Sequence, residues 1–283
     1  MYKFGLIGYP LSHSMSKVIQ EAAFKSVGLD GTYEILETEQ EDLVDRIKYL
    51  RTNDFRGFNV TIPLKVPITL FLSSVDNVAN VVGSANTIKI MEDGSLQGYN
   101  TDVYGCVEAI PEDFREEIEG KNVAILGNGG AARAVGVGLS ILKAKKIDFY
   151  VRNIINAREM VDALRVNFPN VEMNCKQIEG LKDLSNYKIL VNTTPIGMRS
   201  KAMGFSPIEE DIIKTMDKDS AVYDIVYNPL KTELIKQAKK HGIKTIQGLD
   251  MLIYQGAKAF EIWTGKKPDT LKMKLAALEE MVE

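Results

Sequence analysis

From Lys121 onward, short apolar runs of strand length alternate with segments of helical period. The runs are Asn122–Leu126, Ile147–Val151, Lys188–Val191, Ala221–Val226 and Ile243–Ile246, and the helical patterns are Ala131–Leu142, Asn156–Val166 and Lys231–His241. Strands with so little polar alternation, spaced by helices, predict βαβ units and a parallel sheet covered on both faces. The first hundred residues mix the same two periods with richer loops. Phe4–Ile7, Thr32–Leu36, Gly57–Ile62 and Thr87–Ile90 read as strands, Ser16–Ser26 and Gln40–Thr52 as helices. Between the halves, Ile110–Gly120 is acidic and poorly suited to a core strand, so it is expected to be a hinge or surface connection. The tail returns to helical spacing at Leu249, Leu252, Ile253, Ala257, Phe260 and Trp263. Gly265 and Pro268 stop that helix, and a second one runs over Thr270–Val282.

At 283 residues the chain exceeds the size at which one core usually suffices, and two lobes are expected. Thirty-five Lys and Arg against 38 Asp and Glu give no broad positive field, which argues against a nucleic-acid partner. No run of about 18 apolar residues reads as a membrane span, and the opening Met1–Gly8 is too brief for a signal h-region, so it is expected to be a first buried strand. Cys106 and Cys175 with His13 and His241 suggest neither a disulfide framework nor a metal cluster. A cytoplasmic, metal-free protein is expected.

Asn122–Leu126 runs directly into Gly127, Asn128, Gly129, Gly130, Ala131 and Ala132, a G-x-G-x-x-A turn in strand-turn-helix context. Gly127 permits the tight turn, Gly129 lets a pyrophosphate approach the backbone, and Ala132 keeps helix and strand close. A dinucleotide site is expected there. Asp148 has the spacing of an acid that would bind a ribose 2′-hydroxyl, but it falls early in its strand. The carboxyl end of that strand carries Val151, Arg152 and Asn153, with Arg158 beyond, and an arginine at that place favours a 2′-phosphate, hence NADP. Asn192–Met198 and Tyr227–Thr232 are further polar loops at strand ends, where ligands of open parallel sheets bind.

The first half concentrates uncharged hydrogen-bonding side chains after its strands. Ser12 and Ser14 precede a helix start, where hydroxyls and free N–H groups favour a carboxylate or polyol, although either Ser14 or Ser16 could simply cap the helix. Thr61, Pro63 and Lys65 follow one strand. Ser84, Asn86 and Thr87 flank another, and Asn100, Thr101 and Asp102 end a third cluster in a carboxylate. Such a set grips hydroxyl and carboxylate groups. A lysine beside a carboxylate can also exchange a proton with a carbinol oxygen during hydride transfer.

Taken together and in order, these segments resemble the shikimate dehydrogenase family over nearly the whole chain: Gly8–Ser14, Asn59–Lys65, Ala85–Thr87, Asn100–Asp102, Gly127–Arg133, Asn192–Met198, Tyr227–Thr232 and Gly248–Gln255. The resemblance implies a two-domain α/β fold. An N-terminal α/β substrate domain, residues 1–103 with 245–283, would join a Rossmann-type NADP-binding domain, residues 104–244, with the C-terminal helices packing back on the first domain. It implies NADP-dependent interconversion of shikimate and 3-dehydroshikimate, a step of aromatic amino acid and chorismate biosynthesis.

By position, Lys65 and Asp102 would be the catalytic pair and Ser12 and Ser14 would hold the substrate carboxylate. Thr61, Asn86, Asp102, Tyr227 and Gln255 would bind ring hydroxyls or close the pocket. Gly127, Asn128, Gly129, Gly130, Ala131, Arg152, Asn153 and Thr193 would hold the cofactor, with Ile225 and Gly248 at its nicotinamide end. Two departures stand out. Ser16-Lys17 and Gln20-Glu21 replace a usual Ser-Pro and His-Asn, and Asn156 stands where a second arginine is common, unless Arg158 substitutes. Two rivals remain open: a quinate/shikimate enzyme with relaxed NAD and NADP use, and a non-catalytic ligand sensor. Pairing as a homodimer is left open as well.

Overall fold

A computed structural model describes residues 1–199 and 202–282. In chain order the elements are β1 (Tyr2–Gly8), α1 (Ser16–Val27), β2 (Gly31–Glu37), α2 (Leu43–Thr52), β3 (Gly57–Val60), β4 (Ser74–Val75), α3 (Asn77–Val82), β5 (Thr87–Ile90), β6 (Leu96–Tyr99) and α4 (Asp102–Ala109). There follow α5 (Glu112–Glu116), β7 (Asn122–Leu126), α6 (Gly130–Ile141), β8 (Lys146–Val151), α7 (Ile154–Asn167), β9 (Glu172–Gln177), β10 (Ile189–Asn192), α8 (Glu210–Ile213), β11 (Ala221–Asp224), α9 (Glu233–Lys240), β12 (Lys244–Gln247), α10 (Gly248–Thr264) and α11 (Thr270–Val282). Contacts divide the chain into two units, Met1–Gly105 with Ile253–Glu283, and Cys106–Leu252.

The first unit holds a six-stranded mixed sheet in the order β2-β1-β3-β5-β6-β4, in which β1 runs parallel to β2 and β3 and β5 runs antiparallel to both neighbours. Its aromatic core explains why the tail belongs here. Trp263 of α10 stacks on Phe4 of β1 at 4.4 Å between centroids, and Phe260 meets Phe24 of α1 edge-on at 5.1 Å. The indole N–H donates to the Ile88 carbonyl at 2.9 Å, so the ring is fixed by a polar as well as an apolar contact. Gln20, one of the departures noted above, is buried on α1 and donates to the Gly256 carbonyl at 2.9 Å, pinning the same helix.

The second unit holds a fully parallel sheet in the order β12-β11-β10-β7-β8-β9, the doubly wound arrangement whose order reverses between β7 and β10. The central strands are buried apart from Asn122 at the start of β7, as their largely apolar runs require. β9 has no such run. Its Glu172, Asn174 and Lys176 alternate with Met173, Cys175 and Gln177 at the sheet edge, and of these six only Met173 is buried, so no apolar run marks the strand. β12 pairs with β11, so residues 245–247 stand in this sheet and not with the first unit.

The Ile110–Gly120 segment corrects the expected hinge. It contains α5, and Ile110, Phe114 and Ile118, spaced by four, are all buried. Arg115 donates to Glu108, while Glu117 pairs with Lys188 and Lys244. Its acidic character lies on the outer face of a segment whose apolar face is anchored in the core.

Candidate active site

In the first unit the parallel pairing of β1 with β3 sets two loops side by side. Thr61 N–H donates to the Ile7 carbonyl and Tyr9 N–H to the Ile62 carbonyl, both at 2.9 Å. Gly8 makes this approach possible. Its φ is +150°, and a Cβ there would lie 2.5 Å from the Thr61 methyl and 2.8 Å from the Ile62 carbonyl oxygen. The loop beyond is held by Leu11 N–H donating to Glu37 Oε1 at 3.0 Å and Ser14 N–H donating to the Leu11 carbonyl at 2.9 Å. Ser12 is exposed and Ser14 half-buried. Ser14 Oγ accepts the Ser16 N–H at 3.3 Å, so part of its role is local, at the start of α1.

Lys65, in the turn after β3, donates from Nζ to Asp102 Oδ2 at 2.6 Å. Asp102 opens α4, and its own N–H donates to Asn100 Oδ1 at 3.1 Å, which fixes the carboxylate at the helix start. Its other oxygen accepts Asn86 Nδ2 at 2.9 Å. Asn86 in turn is held by Thr101, whose N–H donates to Asn86 Oδ1 at 2.8 Å, and its amide reaches Gln255 Oε1 of α10 at 3.4 Å. Four residues far apart in sequence, Lys65, Asn86, Asp102 and Gln255, therefore form one hydrogen-bonded group. The charged pair is only partly accessible, at 19% and 9% of the side-chain surface. Pairing at this distance is strong and directional. Beneath it lies a layer that sequence reasoning missed: Tyr33 donates to Asn59 Oδ1 at 2.8 Å, and the Asn59 amide donates to the Asn86 carbonyl and to Thr87 Oγ1, each at 3.0 Å. Burial pushes the Tyr33 phenol well above its ordinary range, outweighing a hydrogen bond with Ser16, so it stays a donor.

In the second unit the candidate cofactor residues gather at the carboxyl ends of the strands. Gly127 follows β7 with φ +112°, a backbone only glycine adopts readily, and a Cβ there would lie 2.7 Å from Thr193 Oγ1. Thr193 belongs to the loop after β10, and its hydroxyl donates to the Leu126 carbonyl at 2.5 Å, which closes the switch point between β7 and β10. Asn128 leads to Gly129, which precedes α6 in extended conformation, and a Cβ on Gly129 would meet nothing within 4 Å. The space in front of the first turn, Gly130 and Ala131, is thus open to a pyrophosphate, with helix N–H groups facing it. At the end of β8, Arg152 is exposed and makes no hydrogen bond or ion pair among the described residues. Asn153 caps α7, accepting from Ile155 and Asn156 N–H at 3.0 and 3.3 Å, so its acceptor oxygen is engaged. Gly248 opens α10 where a Cβ would lie 2.1 Å from the Ile225 carbonyl oxygen. Tyr227 stands half-buried in the loop after β11.

Asp148 is fully buried, and its carboxylate is taken up by other side chains. It accepts Tyr187 Oη at 2.5 Å, Lys176 Nζ at 2.8 Å and Asn174 Nδ2 at 3.1 Å. Burial raises its pKa, but these donors, led by Lys176, outweigh it and hold the carboxyl below its usual range. A second buried carboxylate, Asp224, escaped the sequence reading altogether. It ends β11 and accepts from Asn192, Val226 and Thr232. Burial pushes it up to about 6 despite these donors. The available signal is a single charge inside the apolar run Ala221–Val226.

Comparison with known proteins bears on these residues. Residues 6–88 match the family described as shikimate dehydrogenase substrate binding domain, and residues 248–278 match the shikimate 5′-dehydrogenase C-terminal domain. The chain is 38% identical over 273 residues to the shikimate dehydrogenase (NADP(+)) of Methanococcus vannielii, covering 95% of this chain and 94% of that protein. Among solved structures, a shikimate dehydrogenase in complex with NADP+ is similar with a TM-score of 0.90 at 38% identity, covering 100% of this chain and 96% of that one. The Thermus thermophilus enzyme in complex with NADP(H) and shikimate is similar with a TM-score of 0.85 at 33% identity, covering 99% of each chain.

Proposed function

The chain belongs to the shikimate dehydrogenase family, and from that premise we propose that it is an NADP-dependent oxidoreductase interconverting 3-dehydroshikimate and shikimate. The observation that carries this reading is the Lys65–Asp102 pair at 2.6 Å, joined through Asn86 to Gln255. Bound NADP supplies or accepts the hydride. The protein must move one proton at the substrate's C3 oxygen and hold the ring.

Lys65 has three ammonium protons, of which Asp102 receives one, leaving donors for an incoming oxygen. In the reducing direction Lys65 gives its proton to that oxygen as negative charge develops there, and in the oxidising direction it takes the proton back. Asp102, fixed by Asn86 and by its own N–H, keeps the ammonium aimed and accepts from a neighbouring ring hydroxyl. Ser12 and Ser14 donate to the substrate carboxylate. Thr61, Asn86 and Gln255 bind ring hydroxyls, with Tyr227 a further substrate contact. Gly127, Asn128, Gly129, Gly130 and Ala131 cradle the pyrophosphate, Arg152 and Asn153 serve the adenosine ribose and its phosphate, and Thr193, Ile225 and Gly248 border the nicotinamide. The open space at Gly129 and the free Arg152 guanidinium both support the fit of NADP. A cytoplasmic location belongs to the same proposal. Among the described residues no helix is long and apolar enough to cross a membrane.

Reduced-nicotinamide absorbance tests this reading with shikimate or quinate paired with NADP or NAD. Shikimate with NADP should give the highest kcat/KM by a wide margin. Turnover of none of the four pairs would refute the enzyme, and a quinate or NAD preference would refute the specificity.

A further inference from the structure

Three adjacent strands of the second sheet end on polar side chains in register: Asn192 on β10, Asp224 on β11 and Gln247 on β12. Each ties down a loop. Asn192 Oδ1 accepts the Thr194 N–H at 3.0 Å and the Thr194 hydroxyl at 2.7 Å, holding the turn after β10. Gln247 donates to the Leu230 carbonyl at 3.1 Å, holding the far side of the loop after β11. Asp224, with no exposed surface, stands between them. Its Oδ1 accepts Asn192 Nδ2 at 2.9 Å and Val226 N–H at 3.1 Å, and its Oδ2 accepts Thr232 Oγ1 at 2.6 Å. Thr232 Oγ1 meanwhile accepts the Ile235 N–H at 3.3 Å, so it caps α9 while donating to the carboxylate.

All three groups that face Asp224 are donors. An amide of the same shape keeps the two bonds to its oxygen but presents an N–H to Thr232 Oγ1, so the Thr232 hydroxyl loses its charged acceptor and must turn its proton elsewhere. The loops so joined carry Thr193, Ile225 and Tyr227, yet Asp224 itself is sealed from solvent and from any ligand in front of the strand ends.

We propose that Asp224 is a positioning residue for the cofactor: its carboxylate locks the loops after β10 and β11 in the one arrangement that receives the nicotinamide half of NADP. This rests on the cofactor reading above. It extends that reading to a residue that touches neither cofactor nor substrate.

The test titrates NADPH into the full chain, following nicotinamide fluorescence, for wild type, Asp224→Asn, Thr232→Val and Thr232→Ser, alongside KM for each substrate. Asp224→Asn should weaken NADPH binding about tenfold or more, the scale of losing hydrogen bonds to a charged acceptor. Thr232→Val should weaken it less, and Thr232→Ser, which keeps the donor, should restore wild-type affinity. The KM for shikimate should move far less than the affinity for NADPH, because of the proposed substrate contacts only Tyr227 lies on these loops. Should Asp224→Asn not fold, the contrast between Thr232→Val and Thr232→Ser decides alone. Wild-type NADPH affinity in folded Asp224→Asn, or equal affinities in the two Thr232 variants, overturns the proposal. So does a parallel loss of shikimate and NADPH affinity. NADPH binding that behaves as predicted in a protein inactive on shikimate would instead refute the substrate assignment and leave this inference standing.

Discussion

Replacing Asp224 by Asn isolates a contest between two forces on one carboxyl. Burial disfavours its ionised form, while Asn192, Val226 and Thr232 favour it, and the balance leaves the carboxyl near 6, above its ordinary 3.8. A group whose folded pKa exceeds its unfolded value binds its proton more tightly when folded. Its stabilising contribution is therefore complete below about pH 4 and is lost as the pH rises through about 6. The shift of roughly two units corresponds to roughly 3 kcal/mol over the whole range. Between about pH 7 and about pH 5 wild type should recover about 1 kcal/mol of it, whereas Asp224→Asn, having no proton to bind, recovers none. Other groups titrate in the same window, among them the carboxylates held low by lysines, but they are common to both proteins and cancel. Urea denaturation of the pair at the two pH values measures the difference directly. The stability of wild type relative to the variant should grow by about 1 kcal/mol on acidification. A difference that stays constant or shrinks would mean that the three donors outweigh burial and that the carboxyl titrates at or below its unfolded value.

Lys65→Met should lower kcat by about 10²–10⁴ while changing the KM for shikimate much less, as expected for a proton donor, and steady-state kinetics with unchanged kcat would remove it from that role. Arg152→Ala should raise the KM for NADP far more than that for NAD, checked by the ratio of the two kcat/KM values. Equal effects would show that another residue reads the 2′-phosphate. Gly57→Ala places a Cβ 2.4 Å from the Trp263 ring nitrogen and 2.6 Å from the Ile88 carbonyl oxygen. With backbone on one side and a packed ring on the other, the cost should reach about 3 kcal/mol, visible as a lower urea midpoint, and a wild-type midpoint would contradict this packing.

The parts of the fold that were legible in sequence are those in which one local signal sufficed. The unbroken apolar run of β7 followed by glycine and an alanine-rich stretch defines strand, turn and helix without help from elsewhere. Ser12, Lys65 and Asp102 were visible as polar residues closing apolar segments, although only the family resemblance assigned them roles. Gln255 was silent by itself. A glutamine on a helix reads as surface, and what matters is its 3.4 Å approach to Asn86, 169 residues away. β9 was hidden because an edge strand need not be apolar, and α5 because its one buried residue, Phe114, was diluted by acidic neighbours. Asp224 shows the limit most clearly. Its partners lie 32 residues back, two on and eight on, so the network exists only once the sheet has formed.

In the proposed reaction this chain moves hydride between NADP and the C3 carbon of one ring, with Lys65 supplying the proton. The most direct measurement gives the purified protein 3-dehydroshikimate and NADPH and quantifies both the NADPH consumed and the shikimate formed. The two amounts should be equal, and the rate should collapse in Lys65→Met. NADPH consumption without shikimate, or shikimate formed at an undiminished rate by the Lys65 variant, would contradict that reaction.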